Sequence, residues 1–363
     1  MTEKNQPISF NRGVPATQSL PSRKVGEVTA EVLREEGDTL LQYGDSRGYL
    51  PLREKIVDGC ENPTEDQVLV GNGSLQILDM ITHIYVEQGD SVLVEKPSYD
   101  RAITLFRRAG AKVSAVSLEK DGMNLDELAE LLERDRPSLI YTIADFQNPT
   151  GITATTEKRK ALTELAAKYG TIVVEDSPYR NLRYRGEVEP TVRSFDPDNI
   201  LRLSSYSKLV SPGMRVGWLV GKSEVIEELA DYAEDTYITP NLLSQGIVSK
   251  LMGSGWLEEN IKQLVSLYEP RLRATLESLE KYFPESDWVE AEGGFFVGLW
   301  LPDPSKVDQF YEKAEGENLI LSSPDGFFAD GESEGFLRLP FPALSVSEIE
   351  TGVKRLARAW KEL

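Results

Sequence analysis

The sequence holds one cysteine and one histidine in 363 residues. Cys60 alone cannot close an internal disulfide framework, and a single thiol fits a reducing cytoplasm. With His83 as the one imidazole, there is little from which to build a zinc site, and no metal is expected. No apolar run reaches the roughly 18 residues from which a membrane span is read. The opening MTEKNQPISF lacks the basic-then-apolar layout of a secretory signal. Positive charge is also scarce: 40 Lys and Arg face 60 Asp and Glu, giving a net charge of −20. Such a balance repels nucleic acid and anionic membrane surfaces and favours solubility. These absences leave a soluble cytoplasmic protein with no nucleic-acid and no membrane partner.

What is present is an ordinary globular balance, 40% hydrophobic and 28% charged, in a chain long enough for two domains. From about residue 67 to 221, short β-rich runs alternate with helical stretches, the pattern of a parallel α/β sheet. Strands are expected at 67–70, 91–95, 112–116, 138–143, 171–175, 200–204 and 216–220. Amphipathic spacing places covering helices at 125–134 and 157–169. A long helical pattern over 255–282 would bridge to a smaller α+β unit with strands at 294–300 and 336–339 and a last helix from Ser347. The polar groups 71–74, 148–151, 176–179 and 205–208 each follow an expected strand directly. In open α/β sheets ligands bind beyond the carboxyl ends of strands, so these groups should converge on one crevice.

Chemistry is densest in SSYSKLVSPGMRVGW, residues 204–218. Ser205, Ser207 and Arg215 can hold a phosphate while Lys208 reaches a ligand's reactive carbon, with Pro212 and Gly213 turning the chain so that Arg215 points back. A lone Ser-Lys pair would read as a solvated loop lysine. VGNGSLQILDMI (70–81) gives a Gly-rich turn at a helix start, where free backbone N–H groups favour a phosphate dianion. FQNPTGIT (146–153) reads locally as a turn. In VVEDSPYRNLRY (173–184), a carboxylate follows an apolar strand and would otherwise read as a helix cap.

Taken together, these segments resemble the class I/II aminotransferases, pyridoxal-5′-phosphate (PLP) enzymes of the aspartate aminotransferase fold. SYSKLVSPGMRVGW is similar to their S-x-S-K-x-x-x-P-G-x-R-x-G-W segment, which makes Lys208 the residue that binds PLP as a Schiff base. Asn148 matches the asparagine of N-P-T-G, which touches the PLP 3′-oxygen and the substrate carboxylate. Asp176 and Tyr179 match the E-D-x-P-Y pair that faces the ring nitrogen and the 3′-oxygen. Gly73, Ser74 and Leu75 stand in the phosphate turn, with Leu75 replacing the usual glutamine. Tyr99 takes the position of the ring that stacks on the pyridine. Tyr43, in QYGDSRGYLPLRE, takes that of a tyrosine reaching the neighbouring subunit's phosphate. Arg338, in FLRLPFP, takes that of the arginine that grips the α-carboxylate bidentately.

The resemblance runs from ISFNRGVP to FLRLPFP and is nearest to the 2-aminoadipate/kynurenine-type transaminases and the aminotransferase-like domain of MocR regulators. It implies a fold type I PLP-dependent transferase. A segment 1–40 joins the small domain, a large PLP domain with a mostly parallel sheet spans 41–258, and a small α+β domain spans 259–363. It implies a homodimer with shared sites that moves an amino group between an amino acid and a 2-oxo acid. Other PLP reactions on the same scaffold (β-lyase, decarboxylase, oxidase) and a ligand-sensing regulator remain as alternatives. The regulator reading is weakened by the acidic charge and by a motif series that begins at Ile8. Ala144-Asp145 stand where the subgroup has Pro-Ser, and Arg12 precedes Gly13 where it often has glycine; both places are expected to face the substrate. Arg12 and Arg23, in the N-terminal segment that meets substrate side chains in the subgroup, would favour a second carboxylate such as that of glutamate or 2-oxoglutarate. The alternative is that both are solvated. His83 is expected to be structural.

Overall fold

The structure, a computed structural model, describes residues 6–60 and 63–363. Its strands in chain order are β1 (Ile8–Phe10), β2 (Val68–Gly71), β3 (Ser91–Lys96), β4 (Lys112–Glu119), β5 (Gly122–Met123), β6 (Leu139–Thr142) and β7 (Ile172–Asp176). They continue as β8 (Ile200–Ser205), β9 (Gly217–Val220), β10 (Asp287–Trp288), β11 (Phe296–Trp300), β12 (Leu319–Leu321) and β13 (Phe336–Pro340). Eight of them form one sheet in the order β2-β9-β8-β7-β6-β3-β4-β5. β4, β3, β6, β7 and β8 pair in parallel, and β9 runs antiparallel between β8 and β2.

The central strands read as continuous apolar runs because the sheet is covered on both faces. Alternation along each strand divides its side chains between two cores. Val92, Val94, Leu139, Tyr141 and Val174 pack with Ile77, Phe106 and Ile226 on one face. Leu93, Ile140 and Val173 pack with Leu128 and Leu162 on the other. Each fully buried side chain of this size contributes about 1.5–3 kcal/mol relative to exposure, so the two layers fix the sheet firmly. The covering helices begin where the sequence supplies caps: the side chains of Asn124 and Thr155 accept from Glu127 N and Lys158 N. Gly170, with φ +67°, ends the second of these in the left-handed conformation.

The remaining strands form a second region. β1 pairs in parallel with β12, so residues 8–10 lie against a strand some 300 residues later. β11 pairs antiparallel with β10 and β13. A 27-residue helix, Trp256–Tyr282, and the last helix, Val346–Lys361, pack together beside them. Position 258, expected as the edge of the large domain, lies in the first turn of the longer helix. No helix among the described residues is long and apolar enough to cross a membrane.

Candidate active site

Because β2, β3, β6, β7 and β8 all point the same way, the residues after their carboxyl ends gather at one edge of the sheet. β9 begins at that edge, so Arg215, two residues before it, joins the group. After β8 the chain turns at Tyr206–Lys208. Ser205 Oγ accepts from Ser207 N at 3.0 Å and donates to Ser207 Oγ at 2.9 Å. A 3-10 turn over Pro212–Met214 then leads to Arg215, whose φ of +52° swings its guanidinium back to donate to Asn72 O at 3.2 Å.

This places Arg215 over the start of helix Ser74–Tyr85, and two glycines make the approach possible. A Cβ on Gly73 would lie 2.3 Å from Arg215 Nη2, and one on Gly217 would lie 2.2 Å from Ser74 N. The first N–H groups of that helix have no intrahelical acceptor. With Arg215 and the serines they make a cationic, donor-rich cradle, the arrangement a phosphate dianion requires. Ser74 and Leu75 are half-buried in its first turn. Tyr99 is half-buried where β3 hands over to helix Asp100–Arg108, and burial pushes its hydroxyl up to about 12.

Asp176 closes β7 and is 5% exposed. Tyr141 Oη donates to its Oδ2 at 2.7 Å, while Oδ1 is buried with no partner. Burial pushes this carboxyl up to about 7, against the Tyr141 hydrogen bond and with help from the neighbouring Glu175. Tyr141 was not expected from the sequence as a site residue. The signal lies in the register: Tyr141 stands opposite Val174, two residues from Asp176 and on the same face.

Lys208 Nζ donates to Gly13 O at 3.0 Å, and the rings of Phe295 and Tyr179 lie 5.2 and 5.9 Å from it. Burial, then the positive charges of Arg338 and Arg215, bring its amine down to about 8. Tyr179 is buried against Phe295 and Phe296, and burial raises its hydroxyl far above the usual range.

Asn148 and Arg338, 190 residues apart, meet here: Arg338 Nη1 donates to Asn148 Oδ1 at 3.2 Å. Gly298 of β11, opposite Arg338, donates its N–H to Thr150 O at 2.7 Å, which ties β11 to the turn that carries Asn148. Arg338 also donates to Asn11 O at 2.8 Å, and its buried Nε has no partner. Phe296 and Phe327 flank the guanidinium at 5.0 and 4.5 Å. Gly13 fits under Phe296 only without a side chain, since a Cβ would come within 2.2 Å of the ring.

Other expected residues take no part in these contacts. Tyr43 is 72% exposed and makes no side-chain hydrogen bond among the described residues. Arg12 is exposed, and Arg23 forms a 3.0 Å ion pair with Glu27 on its own helix. The expectation that Asp145 faces the substrate is incorrect. Its side chain is 2% exposed and is held at 2.9 Å by both Arg159 and Arg180. Burial opposes its charge, but the two guanidinium groups prevail and hold it below the usual carboxylate range. His83 is surface-exposed and bonds Asp79 O within its helix at 2.9 Å. A cleft of about 500 Å3, lined by acids including Glu119, Asp121 and Glu290, contains neither Lys208 nor Asp176 nor Arg338.

The profile of the family Aminotransferase class I and II matches residues 5–356. The chain belongs to that family. It is 33% identical to aromatic-amino-acid aminotransferase 1 of Thermococcus litoralis, over all of this chain and 90% of that one. It is 34% identical to the 2-aminoadipate transaminase of Thermus thermophilus, over all of this chain and 92% of that one. Its structure superposes with a TM-score of 0.92 on LysN, the α-aminoadipate aminotransferase of Thermus thermophilus, complexed with N-(5′-phosphopyridoxyl)-L-leucine. That match covers 98% of this chain and 92% of that one at 33% identity.

The protein is therefore a PLP-dependent aminotransferase of fold type I. Its residues fit the cofactor. Asp176 Oδ1 is a buried carboxyl oxygen without a partner, and a protonated pyridine nitrogen is a donor that would both pair it and favour its charged form. The cradle around Ser74 and Arg215 would be filled by any side chain on Gly73 or Gly217. An amine near pH 8 at Lys208 is more readily neutral, and so more nucleophilic, than an ordinary lysine.

Proposed function

We propose that amino transfer in this protein runs through Lys208, Asp176, Tyr179, Asn148 and Arg338 acting together. When bound, PLP supplies an electrophilic carbon for the amino group and a ring that draws electrons from the substrate Cα. Lys208 holds the cofactor covalently and, once released, its Nζ takes the Cα proton. Asp176 keeps the ring nitrogen protonated, and Tyr141 holds Asp176 as the carboxylate. Tyr179 and Asn148 hold the 3′-oxygen, and Tyr99 covers a face of the ring. Gly73, Ser74, Leu75, Ser205, Ser207 and Arg215 hold the phosphate. Arg338 and Asn148 fix the substrate α-carboxylate beside Gly13. The observation that carries this reading is the partnerless Asp176 Oδ1 in the same crevice as the amine of Lys208.

The working unit in this reading is a homodimer, with the exposed Tyr43 completing the phosphate site of a second copy. The segment 1–40, of which residues 6–40 are described, is read with the small domain 259–363, as the pairing of β1 and β12 supports, although its helix Ser22–Leu40 packs on helix Leu242–Gly253. The cofactor groups lie on the large domain 41–258, and Gly13 and Arg338 reach the site from the other two segments. The sequence's single cysteine, which can form no internal disulfide, fits a cytoplasmic protein. An L-amino acid and a 2-oxo acid are the substrates, with a dicarboxylate on one side of the cycle held by Arg12 or Arg23.

The test is an amino-donor and oxo-acid panel with product analysis, run on the wild type, Arg12→Ala and Arg23→Ala. A new amino acid formed in step with a new oxo acid is expected; release of ammonia, CO2 or peroxide would assign the other PLP chemistries. Loss of a carboxylate-binding arginine should cost 2-oxoglutarate about 1.5–3 kcal/mol in kcat/KM and leave pyruvate nearly unchanged. Equal effects on both acceptors remove the arginines from specificity.

A further inference from the structure

Arg338 reaches its position across a loop whose charges are unusual for a strand connection. Between Phe327 and β13 the chain carries Asp330, Glu332 and Glu334, three acids within five residues of a protein already at −20. The turns here are tight: Gly331 and Gly335 have φ of +81° and +74°, and Glu334, not a glycine, has +51°. Like charges so close repel, and a left-handed glutamate is an uncommon conformation. Something outside the loop must hold it.

That group is Lys96, the last residue of β3. Its side chain is 17% exposed, and its ammonium lies 2.7 Å from Asp330, 2.7 Å from Glu334 and 3.9 Å from Glu332. Two further bonds from the same side of the molecule grip the loop's backbone. Ser98 N donates to Phe327 O at 2.8 Å, and Arg107 Nη2 to Ala329 O at 2.7 Å. Phe327 is thereby pinned between this clamp and Arg338, its ring 4.5 Å from the guanidinium and packed on Phe336 of β13. A ring face held against a buried guanidinium stabilises the cation and restricts its swing.

We propose that Lys96 is a positioning residue: through Asp330 and Glu334 it holds Phe327 against Arg338, and so sets how tightly the site binds a carboxylate. Lys96 touches neither the phosphate cradle nor Asp176 in this arrangement, so its loss should act on carboxylate binding and not on the cofactor. The inference rests on the assignment of Arg338 to the substrate carboxylate.

The experiment measures the Kd of the PLP-loaded enzyme for 3-phenylpropanoate, a carboxylate without an amino group, alongside PLP affinity and the steady-state constants. Lys96→Met should weaken binding of the probe roughly tenfold, the scale of coupling carried through a packed network. KM for amino donors should rise by a similar factor and kcat should fall by less, with PLP affinity retained. Lys96→Arg should restore most of the loss. The double variant Asp330→Asn/Glu334→Gln, on the exposed side of the clamp, should reproduce the weakening if Lys96→Met folds poorly. Arg338→Gln serves as the reference. Probe binding lost in Arg338→Gln but unchanged in Lys96→Met or in the loop double variant overturns the clamp alone. Probe binding unchanged in Arg338→Gln overturns the carboxylate assignment and the clamp with it.

Discussion

Tyr141 donates its phenolic proton to Oδ2 of Asp176 at 2.7 Å, and the other oxygen of that carboxylate is left free to face a ligand. The phenol stabilises only the charged form, so it works against the burial that raises Asp176 to about 7. Tyr141→Phe should raise that carboxyl further and shift the low-pH limb of kcat upward. Loss of one charged hydrogen bond, about 1.5 kcal/mol, should lower kcat roughly tenfold. Asp176→Asn should still bind PLP but lose most of the rate, because a neutral amide cannot hold the ring nitrogen protonated. A pH–rate profile of Tyr141→Phe identical to that of the wild type would show that the phenol does not tune the carboxylate.

The amine of Lys208, brought down to about 8, gives a pH signature for cofactor loading. Only the neutral amine attacks the PLP carbonyl, and a lowered value means that form is reached at lower pH. The rate of PLP capture by the apoenzyme should therefore climb with pH and level off above about 8. Stopped-flow absorbance over pH 6–10 reads the midpoint, and a rise continuing to the range of an ordinary lysine, about 10.4, would contradict the environment described for Lys208.

Gly217 is where β9 passes the start of helix Ser74–Tyr85, with room for no Cβ. Backbone lies on both sides of the contact, so neither partner can yield by a rotamer change. Gly217→Ala should destabilise the protein by about 1–3 kcal/mol, as overpacking does, and weaken PLP more than 2-oxo acid binding. Denaturant unfolding and PLP titration check the two effects. A fully stable variant with wild-type PLP affinity would mean that the phosphate cradle tolerates a wider gap.

Tyr43 offers a test of the shared site. Lys208→Ala and Tyr43→Phe each damage one site, and in a dimer with donated tyrosines half the sites of a hybrid carry both lesions and half carry neither. Mixing the two variants under conditions of demonstrated subunit exchange should restore activity above the sum of the parts. An active monomer at assay concentration would contradict the homodimer.

Much of the fold was legible in the chain because its strands are buried on both faces. The runs at 91–95, 171–175 and 200–204 appear as β3, β7 and β8 within a residue, and the patterns at 125–134 and 157–169 as helices with side-chain caps. Many residues of the crevice were legible because they stand at or just beyond strand ends, whereas Arg338, inside β13, and Arg215, before β9, were legible through the family's motifs. What was hidden depends on register or on distant elements. Tyr141 carries no signal of its own in the sequence, and only the register of β6 on β7 sets it on the face of Asp176. Asp145 was misread because the arginines that bury it, Arg159 and Arg180, come from a later helix and a later loop. The clamp at Lys96 joins residues more than 230 positions apart, and nothing near that lysine in the sequence announces its partners.

The role of Lys208 in this aminotransferase is read by peptide mapping after borohydride reduction. The resting enzyme should yield one PLP-modified peptide, carrying the label on Lys208. After incubation with an amino donor and no acceptor, the label should disappear, because the cofactor then holds the amino group and is no longer joined to the protein. A label on any other lysine, or one on Lys208 that persists unchanged with every donor, would contradict amino transfer through Lys208.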